Sequence, residues 1–198
     1  MRWGHMRKLL IPVLALLAPL GACTTAYTSP VAVDRFVASD RAPLSASAIA
    51  VEAAGLDVPA EYLRAVEAEL ARLGYAVGPA GSDLTARVGV DVTPVDAGYR
   101  RSPVGVGVGG STGGYGSGIG AGVGITLGGS EAPTRATQLS VTIRNELGAS
   151  VWEGRADLVT GDRSDYATDA TAAQALAAAL FENFPGENGE SYQVELDR

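Results

Sequence analysis

The stretch Leu139-Ser-Val-Thr-Ile-Arg144, with the turn Asn145-Glu-Leu-Gly148 and the return Val151-Trp-Glu-Gly-Arg-Ala-Asp-Leu158, decides the fold of this chain. Apolar and polar residues alternate in both arms, which is the period-2 pattern of strands with one buried face. The sequence therefore predicts an antiparallel hairpin. Four residues of the return arm share one face: Trp152, Gly154, Ala156 and Leu158. We expect this tryptophan to be buried, in preference to a role in stacking on a ligand.

Two amphipathic segments on either side of the hairpin predict helices. The first extends from about Val58 to Leu73, with Asp57 as its expected N-cap and Gly74 as its C-terminal stop. The second extends from about Asp169 to Phe184 and is rich in alanine, the residue with the highest helix propensity. Further segments alternate as strands do: Val31 to Phe36, Ala46 to Val51 and Leu84 to Thr93.

These elements predict an α+β fold, an antiparallel sheet with two helices packed on it. We expect a single domain over residues 31–186, and a loosely held acidic tail over residues 187–198. A glycine-rich hairpin or loop insert is expected within the domain, at residues 104–129. A chain of this size can bury a core without disulfides.

The insert at residues 104–129 contains 13 glycines. Gly105 to Gly110 matches G-x-G-x-x-G by letter, but no helix can start in the glycines that follow, so nucleotide binding is not predicted. Aliphatic residues alternate with glycine at both ends, which favours a hairpin or a flexible loop with Tyr115 near its tip, a candidate interaction loop. The alternative is a membrane-inserted glycine zipper, because four glycines are spaced as G-x-x-x-G from Gly110 to Gly122.

The N-terminus carries a basic start and then an apolar run from Leu9 to Leu20, too short to span a membrane. It ends in Leu20-Gly21-Ala22-Cys23, which resembles the lipobox of bacterial lipoproteins. The resemblance implies that residues 1–22 are a signal peptide whose Leu20, Gly21 and Ala22 are read by the signal peptidase. It also implies that Cys23 is lipidated, that residues 23–30 form a tether, and that Thr24 gives the pattern sorted to the outer membrane.

Cleavage before Cys23 would leave 12 arginines against 22 acidic residues, a formal net charge of −10, with no lysine and no histidine. An acidic, lysine-free chain disfavours nucleic acid as a partner, since phosphates need clustered cations. The same chain excludes three kinds of site: triads that use histidine, imidazole zinc sites and a free thiol nucleophile. We therefore expect no enzyme activity, no cofactor and no metal, although a carboxylate pair stays possible. Asp162 and Asp165 could bind calcium, but a solvated turn is the favoured interpretation.

Four short motifs outside the leader carry a further resemblance: Glu69-Leu-Ala-Arg-Leu-Gly-Tyr75, Ser82-Asp-Leu-Thr-Ala86, Val151-Trp-Glu-Gly-Arg155 and Phe181-Glu-Asn-Phe-Pro185. Together with the lipobox and the glycine-rich insert, they resemble the bacterial envelope lipoproteins built on the domain of unknown function 4136. The resemblance covers roughly residues 30–186 and brings no catalytic residue with it.

The resemblance implies an α+β domain that faces the periplasm. From the lipid anchor and the missing catalytic side chains we expect an outer-membrane lipoprotein that acts by binding or scaffolding in the cell envelope, with other envelope proteins as candidate partners. A glycine zipper that inserts residues 104–129 into the membrane and affects envelope integrity is the alternative. A carboxylate-dependent hydrolase acting on envelope glycan comes third.

Overall fold

The computed structural model describes residues 26–40, 44, 48–79, 82–95 and 132–197. Within these residues, seven strands form one sheet, and two helices cover one of its faces. The elements in chain order are β1 (Val31–Val37), β2 (Ala48–Ala53), α1 (Ala60–Arg72), β3 (Ala76–Gly78), β4 (Leu84–Pro94), β5 (Arg135–Asn145), β6 (Ser150–Thr160), α2 (Asp169–Leu180) and β7 (Glu190–Val194). The leader, Cys23 and the glycine-rich insert with Tyr115 lie outside the described residues.

The sheet is mixed, with the strand order β3-β2-β4-β5-β6-β1-β7. The five neighbouring strands β4, β5, β6, β1 and β7 pair antiparallel, as predicted, but β2 is parallel to both β3 and β4. The expectation of a purely antiparallel sheet was therefore wrong. Helix α1 crosses back over the sheet after β2, so that the next strand starts at the same end, and parallel pairing needs such a crossover. The strand that it places, β3, has only three residues and no detectable alternation.

The predicted hairpin is confirmed as β5 and β6. Ile143 lies opposite Trp152, and Val141 lies opposite Gly154, on the face that the helices cover. This face supplies much of the hydrophobic core, because alternate residues of β5 and β6 are buried against α2.

Helix α1 begins later than predicted, and its expected N-cap was wrong. The N-cap residue is Pro59, in an extended conformation and without a side-chain cap, whereas Asp57 lies in the preceding loop. Val58 precedes a proline and therefore avoids helical dihedrals, which rules out Asp57 as the N-cap. Pro59 itself is extended, with ψ 140°, so the helix starts after it. The predicted stop is confirmed: Gly74 has φ 98°, and the Tyr75 amide donates to the Leu70 carbonyl oxygen at 3.1 Å.

Helix α2 is buried on almost every side, consistent with its alanine-rich sequence. Thr168 caps its N-terminus, since the hydroxyl oxygen accepts from the Thr171 amide at 3.3 Å. The helix ends at Leu180, four residues before the predicted end. Phe181 is the C-cap, and Phe184 follows the turn that contains the positive φ of Asn183.

The last residues are not a loosely held tail, so that prediction was wrong. Glu190–Val194 forms β7, an edge strand paired with β1. The Tyr192 hydroxyl donates to the Ala179 carbonyl oxygen of α2 at 2.7 Å. Half of this strand faces solvent with polar side chains, which is why its sequence resembles a tail although it completes the sheet.

High pH is expected to destabilise the protein through its tyrosines. Burial, opposed by Arg35 and reinforced by two glutamates, raises the pKa of Tyr192 to about 12 from 10.0. Because the folded state retains the phenolic proton, this stabilising contribution is fully present below pH 10 and is lost as the pH rises to about 12. Urea unfolding at pH 8 and pH 11 measures the loss, expected to be about 1 kcal/mol for this partly buried group.

The composition makes this test specific, since the chain after Cys23 contains no lysine to titrate in the same range. Tyr192→Phe is the matched variant. It lowers stability at pH 8 by removing the hydrogen bond to Ala179, but its stability should decline less between pH 10 and 12. An equally steep decline in the variant would contradict the assignment to Tyr192.

Candidate binding surface

The tryptophan motif of β6 and the Phe-Pro motif after α2 form one packed aromatic cluster. Trp152 is 1% exposed and stacks on Phe181, with ring centroids 5.4 Å apart and an interplanar angle of 14°. The Trp152 Nε1 donates to the Pro185 carbonyl oxygen at 2.9 Å. A Cβ on Gly154 would lie 2.3 Å from the indole, so only glycine fits beneath the ring. The predicted burial of Trp152 is confirmed, and these motifs serve packing.

Arg35 is a charged residue inside the core that sequence reasoning missed. Its Nη1 donates to the Glu182 carbonyl oxygen at 2.6 Å, and its Nη2 lies 3.2 Å from the Glu190 carboxylate. The guanidinium carbon lies 4.5 Å from the centre of the Tyr192 ring, a cation–π contact. Alternation in Val31-Ala-Val-Asp-Arg-Phe-Val37 already places Arg35 on the inward face, which was the available signal. Arg35 therefore joins β1 to the C-terminal strand.

Both helices begin at the same end of the sheet and frame a pocket of about 610 Å³ between them. We call this the acidic pocket. Its charged lining residues are Asp57, Asp91, Asp162, Asp169 and Arg135. They come from the loop before α1, the end of β4, the loop after β6, the first turn of α2 and the start of β5. The lining carries an excess of negative charge.

The charged groups of the acidic pocket hold one another in place. Arg135 forms an ion pair with Asp169, and its Nη1 donates to the Ala167 carbonyl oxygen at 3.3 Å. Asp169 also lies in the first turn of α2, where the helix dipole favours a carboxylate. The Thr134 hydroxyl donates to Asp162 at 2.7 Å. The lining is thus an ordered polar surface.

Tyr62 of α1 lies beside this ion pair and is completely buried. Burial and the nearby Asp169 carboxylate raise the pKa of Tyr62, and Arg135 opposes them. Its hydroxyl makes no hydrogen bond of normal geometry within the described residues, although Thr137 and Arg135 are close.

Within the described parts of the chain, no group of three or more acidic, histidine or cysteine residues is arranged to hold a metal ion. Asp162 instead accepts a hydrogen bond from Thr134. Calcium binding by Asp162 and Asp165 stays untested.

The chain enters the fold at the same sheet end as the acidic pocket. The Gly161 amide donates to the Tyr27 carbonyl oxygen at 2.8 Å, and the Thr134 amide donates to the Thr160 carbonyl oxygen at 2.9 Å. The Val95 amide then donates to the Thr134 carbonyl oxygen at 2.9 Å. These bonds link the N-terminal segment, the end of β6, the start of β5 and the end of β4. We call this the entry end.

The face of the sheet away from the helices carries a second, polar groove of about 440 Å³. Its lining includes Asp34, Glu153 and Arg155, and Phe36 stands among them with 46% of its surface exposed. Beside it, burial raises the pKa of Asp157, whose carboxylate accepts from Gln138 Nε2 at 2.7 Å. Alternate residues of β1, β5 and β6 face this side, so the predicted alternation explains its polar character.

None of the helices within residues 26–40, 48–79, 82–95 and 132–197 is long and apolar enough to cross a membrane. The predicted lipidation of Cys23, its recognition residues Leu20 to Ala22 and the interaction residue Tyr115 all lie outside these ranges and stay predictions.

The fold and its surfaces define a small α+β domain with a mixed sheet and two helices on one face. The family model Domain of unknown function (DUF4136) matches residues 53–186, and the chain belongs to this family. The resemblance to this domain family, drawn from the four motifs, is thereby confirmed, whereas the lipoprotein part of the resemblance stays a prediction. No functionally curated protein matches the chain significantly.

The chain superposes on two solved structures at low sequence identity. A PDZ domain protein from Parabacteroides distasonis superposes with a TM-score of 0.50 at 14% identity. The match covers 85% of this chain but only 38% of that protein. The PelC dodecamer from Paraburkholderia phytofirmans superposes with a TM-score of 0.42 at 13% identity, over 77% of this chain and 94% of PelC. At these identities the likeness concerns the fold alone.

Proposed function

We propose that the protein is an outer-membrane lipoprotein that faces the periplasm and acts by binding or scaffolding in the cell envelope. The observation that carries the proposal is Leu20-Gly21-Ala22-Cys23, which follows a basic and apolar leader and contains the only cysteine. Acyl chains on Cys23 would provide stable anchoring, since each buried CH₂ contributes about 0.8 kcal/mol.

A binding role is favoured over catalysis by the side chains that the fold exposes. The chain after Cys23 lacks histidine and lysine, so carboxylates are the remaining acid–base groups with a pKa suited to hydrolysis. Two carboxylates that line the candidate surfaces are engaged, Asp169 with Arg135 and Asp34 with Ser191, and beside the groove Asp157 accepts a hydrogen bond from Gln138. Such ordered polar surfaces are suited to recognising a partner.

Metabolic labelling with a clickable palmitate analogue tests the anchor. The parent protein should be labelled and should fractionate with the outer membrane, whereas Cys23→Ala should lose the label completely because it has no sulfur to alkylate. Thr24→Asp is the matched control. It should keep the label but stay with the inner membrane, since the residue after the cysteine resembles a sorting signal. Full recovery of Cys23→Ala in the outer membrane would contradict the proposal.

The alternative function, a glycine zipper formed by residues 104–129, is separated by flotation. A form that is exported behind a non-lipidated leader, with serine in place of Cys23, is mixed with liposomes and centrifuged. The lipoprotein proposal expects this form to stay at the bottom of the gradient. Flotation without a lipid anchor would favour the zipper, because its glycine-rich segment would then bind the bilayer directly.

A further inference from the structure

We infer that the entry end of the sheet, with its acidic pocket, is the surface that the protein holds against the membrane. The inference rests on the proposed lipidation of Cys23 and adds the orientation of the domain. The occupant of this surface is a bilayer whose headgroups present ammonium groups. Three features of the fold carry it: the place where the chain enters, the direction of the strands and the charge of this end.

The tether is shorter than the expected residues 23–30, because Tyr27, Thr28 and Ser29 already contact the fold. Tyr27 is already hydrogen-bonded to Gly161, four residues after Cys23. Even when fully extended, four residues reach about 14 Å. The entry end must therefore stay within about 14 Å of the acyl chains at the point where Tyr27 meets β6.

The acidic pocket lies only a few strands from this attachment point. The bonds from Tyr27 through Gly161, Thr160 and Thr134 to Val95 cross from the N-terminal segment to β4. Three strand spacings correspond to about 15 Å. A domain that rests on its entry end thus brings the pocket, both helix N-termini and Val95 to the same level above the bilayer.

The opposite end of the sheet lies far from the membrane in this orientation. Strand β5 runs away from the entry end, the chain turns at Asn145 to Ala149, and β6 runs back to the entry end. Each strand has 11 residues. At about 3.3 Å per residue, the turn lies roughly 35 Å beyond the entry end.

The charge of the entry end decides which headgroups it tolerates. Asp57, Asp91 and Asp162 line the pocket beside the Arg135–Asp169 ion pair. Anionic headgroups would be repelled over the Debye length of about 8 Å, whereas the ammonium group of an ethanolamine headgroup would be attracted. Charge complementarity therefore favours a zwitterionic leaflet that displays ammonium groups.

Energy transfer to labelled lipid tests the orientation on the lipidated full-length protein. Leu56→Cys and Leu147→Cys form a matched pair, because both leucines are fully exposed, at 103% and 92%. Leu56 lies in the loop that leads into the acidic pocket, and Leu147 lies in the distant β5–β6 turn. Since Cys23 is blocked by its lipid, only the introduced thiol takes the donor dye. The vesicles contain phosphatidylethanolamine and phosphatidylcholine with an acceptor on the headgroups.

We expect transfer from position 56 to exceed transfer from position 147 by at least about twofold, because the strand length separates the two sites. Replacing phosphatidylethanolamine with phosphatidylglycerol should lower the transfer from position 56. Equal transfer from the two positions, or no loss on anionic vesicles, would overturn the inference while the anchor stands. If neither variant floats with vesicles, the lipid anchor itself fails, and the orientation fails with it.

Discussion

Replacing Trp152 with alanine is expected to lower the free energy of unfolding by about 3–5 kcal/mol. The indole is buried, stacks on Phe181 and donates its Nε1 hydrogen to Pro185. Its removal leaves a cavity between β6 and the end of α2, and it leaves the Pro185 carbonyl oxygen without this donor. Urea unfolding followed by circular dichroism measures the loss, because Trp152 is the only tryptophan after Cys23 and the variant loses its fluorescent reporter.

Gly154 supplies the control for this prediction. Alanine at this position should cost about 1–3 kcal/mol in the parent protein, since its Cβ would overlap the indole. In the Trp152→Ala background the same substitution should cost much less, because the ring that it overlaps is gone. Additive effects in this double-mutant cycle would show that the contact between Gly154 and the indole does not limit packing.

Replacing Arg35 with alanine is expected to cost about 3 kcal/mol, because it truncates a large side chain that is 1% exposed and leaves the space around it unfilled. The substitution removes the hydrogen bond to the Glu182 carbonyl oxygen, the ion pair with Glu190 and the contact with the Tyr192 ring. The C-terminal strand should therefore detach before the rest of the sheet unfolds. Urea unfolding measures the global loss, and hydrogen exchange of the β7 amides measures the local one.

Arg64→Ala is the matched control, because Arg64 pairs with Glu61 on the solvent face of α1. An exposed pair of this kind contributes about 0.3–0.5 kcal/mol, so the control should change little. If Arg35→Ala is as mild as Arg64→Ala, or if the β7 amides keep their protection, Arg35 does not hold the C-terminal strand.

Alternation and helical spacing predicted most of the fold. The hairpin around Asn145 to Gly148, the stop at Gly74 and the burial of Trp152 depend on residues close in the chain, and all three are confirmed. The features that were predicted wrongly depend on pairing between segments that lie far apart in the chain. Strand β7 is polar by itself and becomes a strand only because β1 offers it a free edge. The parallel pairing of β2 depends on where α1 returns the chain.

The predictions about the candidate site also differ in whether they depend on nearby or on distant residues. Some predictions need no tertiary structure, because they depend only on contiguous sequence. These are the predictions based on the lipobox, on the absence of histidine and lysine after Cys23 and on the glycine-rich composition. The acidic pocket draws its charged lining from five separate segments, and Arg35 finds its partners about 150 positions along the chain. Strand order and crossover connections decide which of these distant residues come into contact. Local propensity determines which element forms, but only packing of the whole core determines which elements become neighbours.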